Sequence, residues 1–299
     1  MSRKQMWSII VVLLMTNVAT LVWMNFSDRG MKTDKGTIQD MQAAVAKVGD
    51  KSITYASWLS ALDHQHGEEV LEQLINQEVV FQLAEEQDMQ IEEKLIEREL
   101  SLMETMTGVM DDDQLQAMRD HWRKQVRYNY LLEALMTQDV GIPEEEMKEY
   151  YNQYKQQYEF QKTYQLSHIV VSSSEEAEKV VQELDDGAAF DALAREYSAD
   201  EETKQKGGYL GYFSEDSSFL SDSYYDVASE LEEGEYSKPF PSEQDYILLY
   251  VHRTLPAISF TYDELKAAVE RQVALQHVGG SFSPKDLWEE IGVDSYYDD

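Results

Sequence analysis

Cysteine is absent from this 299-residue chain, and proline is scarce, with 5 residues. The first absence removes disulfides, thiolate metal sites, cysteine nucleophiles and cysteine lipidation together, and leaves the redox compartment open. Basic charge is also short: 25 Lys and Arg face 58 Asp and Glu, a formal net charge of −33. Every acid lies after Phe26, and before it only Arg3 and Lys4 are charged. So negative a surface repels nucleic acid and anionic headgroups, which argues against a DNA, RNA or peripheral-membrane role. It suits solubility in a salty or alkaline exterior, or attraction of basic polypeptides. With 42% hydrophobic and 28% charged residues, the composition is globular rather than disordered.

Residues 6–26 (MWSIIVVLLMTNVATLVWMNF) carry no charge. At ~1.5 Å per residue such a helix reaches about 30 Å, enough to cross a hydrocarbon core. The run ends in bulky Trp23-Met24-Asn25-Phe26, which argues against signal cleavage, although Val18-Ala19-Thr20 leaves cleavage open. The expectation is an anchor over residues 1–26 and a single-pass cell-membrane protein, extracytoplasmic from about residue 27. The short N-terminal flank and large following domain favour that orientation; Arg29, Lys32 and Lys35 rival Arg3 and Lys4, so charge does not decide it.

Residues 27–43 are polar and read as a stalk. Residues 44–62 suggest a hairpin around Gly49-Asp50, then a helix opened by Thr54 or Ser57. A mostly helical region follows to about residue 158. Val70, Leu71, Leu74 and Ile75 recur at helical spacing, as do Leu95, Leu100 and Met103, then Trp122, Val126, Leu131 and Leu135. Asp111-Asp112-Asp113 before Leu115 offers a cap and turn, and Pro143, placed in the first turn and followed by Glu144, Glu145 and Glu146, marks a helix start. His64 and His66, two apart, do not share a helix face, so no metal site is expected there.

From residue 164 the pattern changes. Residues 164–171 (YQLSHIVV) are rich in β-formers, and Ser173 with Glu176 makes a capping box. Ala177, Val180, Val181 and Leu184 form one stripe that ends at Asp186-Gly187; Phe190, Leu193, Ala194 and Tyr197 form a second. A glycine-rich turn at 207–211, a helical piece at 224–231, a turn at Glu233-Gly234-Glu235 and a strand at 246–252 complete the order β-α-α-β-α-β-β. That order implies a small α+β domain around an antiparallel sheet. Residues 260–278 read as one more amphipathic helix, before an acidic tail.

Five blocks in this stretch resemble the parvulin family of peptidyl-prolyl isomerases. They are Ser167-His168-Ile169-Val170-Val171; Phe190-x-x-Leu193-Ala194-x-x-Tyr197-Ser198-x-Asp200; Gly207-Gly208-x-Leu210-Gly211-x-Phe213; Leu231-x-x-Gly234-Glu235-x-Ser237-x-Pro239; and Tyr246-Ile247-Leu248-Leu249-x-Val251. The flanks are more loosely similar to PrsA- and SurA-type foldases, on Val48-Gly49-Asp50-x-x-Ile53-Thr54 and the Pro143 helix, and the membrane-anchored rather than lipidated form resembles a YacD-like relative. The resemblance implies an α+β parvulin domain over 160–255 with a four-stranded antiparallel sheet. A helical chaperone-like domain would occupy 27–159, with residues 256–299 returning to pack on it.

It further implies a foldase that binds unfolded or translocating secreted polypeptides and isomerises X-Pro bonds, with no cofactor and no metal. Carried over residue by residue, His168 and Asp200 take the catalytic positions, and Phe219, Leu220 and Tyr224 the proline pocket. Ile247 falls where the family has a second histidine, and Tyr209 where an aspartate is usual; both departures put full activity in question. Each residue also has a plainer reading: His168 as a bonded core histidine, Asp200 as a turn residue, and Phe219, Leu220 and Tyr224 as core. The alternatives to a catalytic foldase are a holdase chaperone on a degenerate parvulin scaffold, and an assembly factor with one dedicated membrane partner.

Overall fold

The computed structural model describes residues 40–242, 244–278 and 283–297. The expected anchor over 6–26 and the stalk up to residue 39 lie outside the described residues. Among the described residues no helix is long and apolar enough to cross a membrane. The chain forms two compact units that meet in sequence between Glu72 and Gln73.

In the first unit, β1 (Ala44–Val48) and β2 (Lys51–Thr54) form the expected hairpin, turning at Gly49 with φ +59°. Thr54 caps α1 (Tyr55–Leu62), its side chain accepting from the Ser57 amide. A π-helical turn over Asp63–Gly67 holds His64 and His66. No residue of α1 is buried, and Val48, Ile53, Trp58 and Leu62 are exposed.

α2 (Glu68–Glu86) leads into the second unit, where α3 (Glu93–Glu104), α4 (Asp112–Thr137) and α5 (Glu144–Tyr154) follow. Asp111 caps α4, whereas Pro143 sits at the N-cap of α5, one place before the first turn. Val79, Val80 and Leu83 of α2 pack on Leu131 and Leu135 of α4. The expected acidic tail also contributes to this cluster. Leu287, in a 3-10 turn over Pro284–Leu287, is 4% exposed, and the Trp288 indole donates to Asn76 Oδ1 at 2.7 Å.

The sheet is β3 (Thr163–Val171), β4 (Tyr209–Ser214), β5 (Phe240–Ser242) and β6 (Asp245–Leu255), antiparallel throughout in the order β4-β3-β6-β5. Strand β3 is central, so alternate residues feed two cores. Ile169 and Val171 join Leu248 under α6 (Ser174–Asp185) and α7 (Phe190–Tyr197). Tyr164, Leu166, Ile247, Leu249 and Val251 face α8 (Asp222–Ser229). The sequence-expected capping box at α6 is offset: Ser173 accepts from the Glu176 amide, but the Glu176 carboxylate bonds the amide of Ser172.

The last long helix, α9 (Tyr262–Val278), returns to the helical region, burying Leu265, Val269 and Val273 against Leu95 and Met147. Polar ties also join helices to sheet. Glu104, 2% exposed, pairs with Arg119 at 2.5 Å and accepts from the Tyr212 hydroxyl at 3.4 Å; Arg253 reaches Asp112 at 2.5 Å.

Candidate active site

His168 sits on β3, on the α8 face of the sheet, and is 8% exposed. Register shifts at residues 165–167 in both β3 ladders show a bulge just before it. Its own amide donates to the Gly208 carbonyl at 2.9 Å. Gly208 has φ +76°, and a Cβ there would come within 2.1 Å of the His168 carbonyl oxygen, so only glycine fits this approach.

The loop after α7 brings in the acid. Buried Ser198 accepts from the Val170 amide at 3.2 Å and from the Asp200 amide at 3.3 Å, while the Ala199 amide donates to the Val170 carbonyl at 2.7 Å. These bonds lace the loop to β3 beside His168. Asp200 Oδ2 then lies 2.8 Å from His168 Nε2. The Thr203 hydroxyl closes a short hydrogen bond on the same oxygen and lies 3.3 Å from Nε2, and the Glu202 amide donates to Oδ1 at 3.1 Å. On the other side of the ring, the Tyr224 hydroxyl of α8 is 2.8 Å from His168 Nδ1.

Burial pushes the His168 imidazole below the usual histidine value, although the bond and charge of Asp200 act the other way. Burial raises the Asp200 carboxyl, but bonds from Thr203, His168 and the Glu202 amide outweigh it and leave it below the ordinary range. The two shifts agree on one state at neutral pH, a neutral imidazole beside a carboxylate. Tyr224 is raised, chiefly by burial and then by the Asp200 charge, so it stays a phenol.

Tyr224 and Ile247 belong to one apolar cluster with Leu249, and half-buried Leu210, Phe213, Leu220 and Phe240 pack against it. Of the sequence-expected site residues, His168, Asp200 and Tyr224 thus meet directly, and Leu220 and Ile247 join through the cluster. Phe219 does not: it is 89% exposed, whereas its neighbour Leu220 packs against the cluster. Ile247 is 3% exposed and offers no polar atom beyond its backbone. The sequence reading missed Thr203, whose only signal is its place three residues after Asp200 in a turn.

The reverse face of the sheet holds a cavity of about 630 Å³, lined among others by Ser167, Phe190, Tyr209, Tyr250 and His252 and reaching neither His168 nor Asp200. There Ser167 Oγ lies 2.8 Å from His252 Nε2, and burial, with Arg253 adding, pushes His252 down to about 4. Among the described residues no group of three His, Asp or Glu side chains could hold a metal ion.

Comparison with known proteins places this chain in a family. The PPIC-type PPIase domain family matches residues 142–267. YacD of Bacillus subtilis (strain 168), by name a candidate peptidyl-prolyl cis-trans isomerase, is 33% identical over 299 residues, covering 99% of this chain and 98% of YacD. The foldase protein PrsA of Caldanaerobacter subterraneus subsp. tengcongensis is 29% identical over 68% of this chain and 61% of its own length. A solved structure titled for the SurA-like chaperones PEB4 and Cj1289 of Campylobacter jejuni covers 85% of this chain and 100% of its own, at 22% identity and TM-score 0.38. With a relative this similar along nearly its whole length and a PPIC-type domain around His168 and Asp200, the chain belongs to the parvulin-type peptidyl-prolyl cis-trans isomerase family.

Proposed function

We propose that this protein is an extracytoplasmic, membrane-anchored foldase that binds translocated polypeptides and isomerises their X-Pro bonds at the His168–Asp200 site. The observation that carries the reading is the Tyr224–His168–Asp200 chain of hydrogen bonds beside the cluster of Leu220, Tyr224, Ile247 and Phe240. Rotation about an X-Pro bond meets a barrier of roughly 18–20 kcal/mol and breaks no bond. The planar amide is the more charge-separated form, its oxygen partly negative and its nitrogen partly positive. An apolar wall against the proline ring strips water from that form and favours the twisted one. The Asp200 carboxylate, held ionised by Thr203, His168 and the Glu202 amide, acts in the same direction where the oxygen faces it. Such chemistry calls for no metal and no nucleophile.

The test is exchange NMR on a proline peptide with catalytic amounts of the full chain in detergent. Exchange faster than in the peptide alone supports the reading; an unchanged rate removes it. A second reading draws on Ile247, which supplies buried hydrocarbon where the family resemblance puts a second imidazole. On that reading the sheet is a scaffold and the protein a holdase. Suppression of client aggregation that persists in His168→Ala, with no exchange enhancement in the wild type, would favour it.

A further inference from the structure

We infer that Tyr224 is a positioning residue: its hydroxyl, donated to Nδ1, fixes the His168 ring in the one orientation that presents Nε2–H to Asp200. This rests on the isomerase reading above and says which group, outside the histidine–acid pair, sets the pair's geometry.

His168 is 8% exposed, so both ring nitrogens need partners. Asp200 as a carboxylate can only accept, which puts the proton on Nε2 at 2.8 Å from Oδ2. Nδ1 is then an acceptor, and among the described residues its recorded partner is the Tyr224 hydroxyl at 2.8 Å. A buried phenol that stays protonated donates. Turning the imidazole over about its Cβ–Cγ bond would replace Nδ1 with a carbon opposite that hydroxyl and draw Nε2 away from Asp200. Tyr224 therefore selects both flip and tautomer, in concert with Asp200.

Packing alone does not require this hydroxyl. The Tyr224 ring meets Phe240 edge-on at 5.5 Å and shares the cluster of Ile247 and Leu249, contacts that a phenylalanine would reproduce. The adjacent Tyr225 shows that the same cluster tolerates a phenol with no partner, since its buried hydroxyl has none among the described residues. Nothing from β6 competes for Nδ1 at Ile247, which is wholly apolar there. Because the ring that carries the hydroxyl is also part of the apolar wall, the hydroxyl ties the wall to the imidazole.

The experiment compares wild type and Tyr224→Phe as full chains in detergent, with ¹⁵N-labelled histidine and a proline peptide as probe. In the wild type, His168 shows a protonated Nε2 and a hydrogen-bonded acceptor at Nδ1. In Tyr224→Phe the Nδ1 resonance moves to that of a free acceptor. Its kcat/KM for exchange falls roughly tenfold, with peptide Kd held within about twofold. Leu220→Ala, which trims the wall without touching the hydroxyl, weakens peptide binding and leaves the ¹⁵N pattern in place. An unchanged ¹⁵N pattern and unchanged kcat/KM in Tyr224→Phe, beside an active wild type, would overturn the inference and leave the isomerase reading standing. A wild type without exchange activity whose His168 resonances still respond to Tyr224→Phe would do the reverse. Should Tyr224→Phe not fold, the wild type alone decides: a solvent-protected Tyr224 hydroxyl proton with a cross-peak to the His168 ring supports the inference, and its absence refutes it.

Discussion

His168 Nε2 and Asp200 Oδ2 stand 2.8 Å apart although 32 residues separate them in sequence. The contact exists because the loop after α7 is bonded to β3 through Ser198 and Ala199 rather than left free in solvent. It gives the acid a fixed place beside the imidazole.

The first prediction concerns pH. His168 has a folded value below the ordinary 6.5, so the neutral ring persists some way into the acid range. Isomerase activity should be flat near neutrality and fall only as pH drops past the usual histidine value toward the depressed one. Asp200→Asn should lower kcat/KM by about 10-fold or more and change that profile. Exchange rates measured between pH 5 and 8 check this; a wild-type profile that rises with acid would refute it.

A second pair of substitutions separates steric from conformational need for glycine. Gly208→Ala places a methyl 2.1 Å from the His168 carbonyl, and should destabilise by more than about 2 kcal/mol and disturb the site. Gly187, at φ +94° with nothing within 4 Å of a Cβ, should lose only about 1 kcal/mol on the same change and leave the His168 resonances in place. Urea unfolding of both variants is the measurement; equal losses would mean that the close approach is not what Gly208 serves.

Glu104 supplies the third. Its carboxylate is 2% exposed and tied to Arg119 and Tyr212, so Glu104→Ala leaves a partly buried guanidinium with Glu97 as its remaining partner. A loss of about 3 kcal/mol is expected, the low end for breaking a buried pair because Arg119 keeps that second acid. Glu104→Gln should cost less, since it can still accept from Tyr212. Denaturant titration of both would show whether the order holds.

The fourth lies on the other face of the sheet. His252 is depressed to about 4, so the folded protein binds fewer protons than the unfolded chain between there and 6.5. Stability should therefore decline as pH falls through that window, by an amount on the order of a few kcal/mol once both states are protonated. His252→Gln should flatten this part of the curve. Melting temperatures at pH 7.5 and 4.5 decide it.

Much of the sheet domain was legible. The strand β3, buried on both faces, showed itself by its run of β-formers, and the stripes of α6 and α7 repeat at helical spacing. The turn at Gly187 and the caps were legible as punctuation because cap and turn chemistry is local, but the choice of Thr54 over Ser57 and of Asp111 within the run of three acids came only with the structure. What escaped has no period. Phe219 and Leu220 are adjacent apolar residues in a loop, and only the path of that loop decides which one turns inward. The Tyr224 hydroxyl and Thr203 act through side-chain direction, which a pattern of apolar positions does not carry. Leu287 and Trp288 lie in an acid-rich stretch whose burial depends on α2 and α4, more than 140 residues earlier in the chain.

Catalysis at the His168–Asp200 site is tested most directly by the rate of cis–trans exchange in a proline peptide, measured with the full chain and with its His168→Ala variant under the same conditions. The wild type should accelerate exchange, and the variant, still folded by its melting curve, should lose at least about nine-tenths of the acceleration. Equal rates in wild type, variant and peptide alone would contradict catalysis at that site.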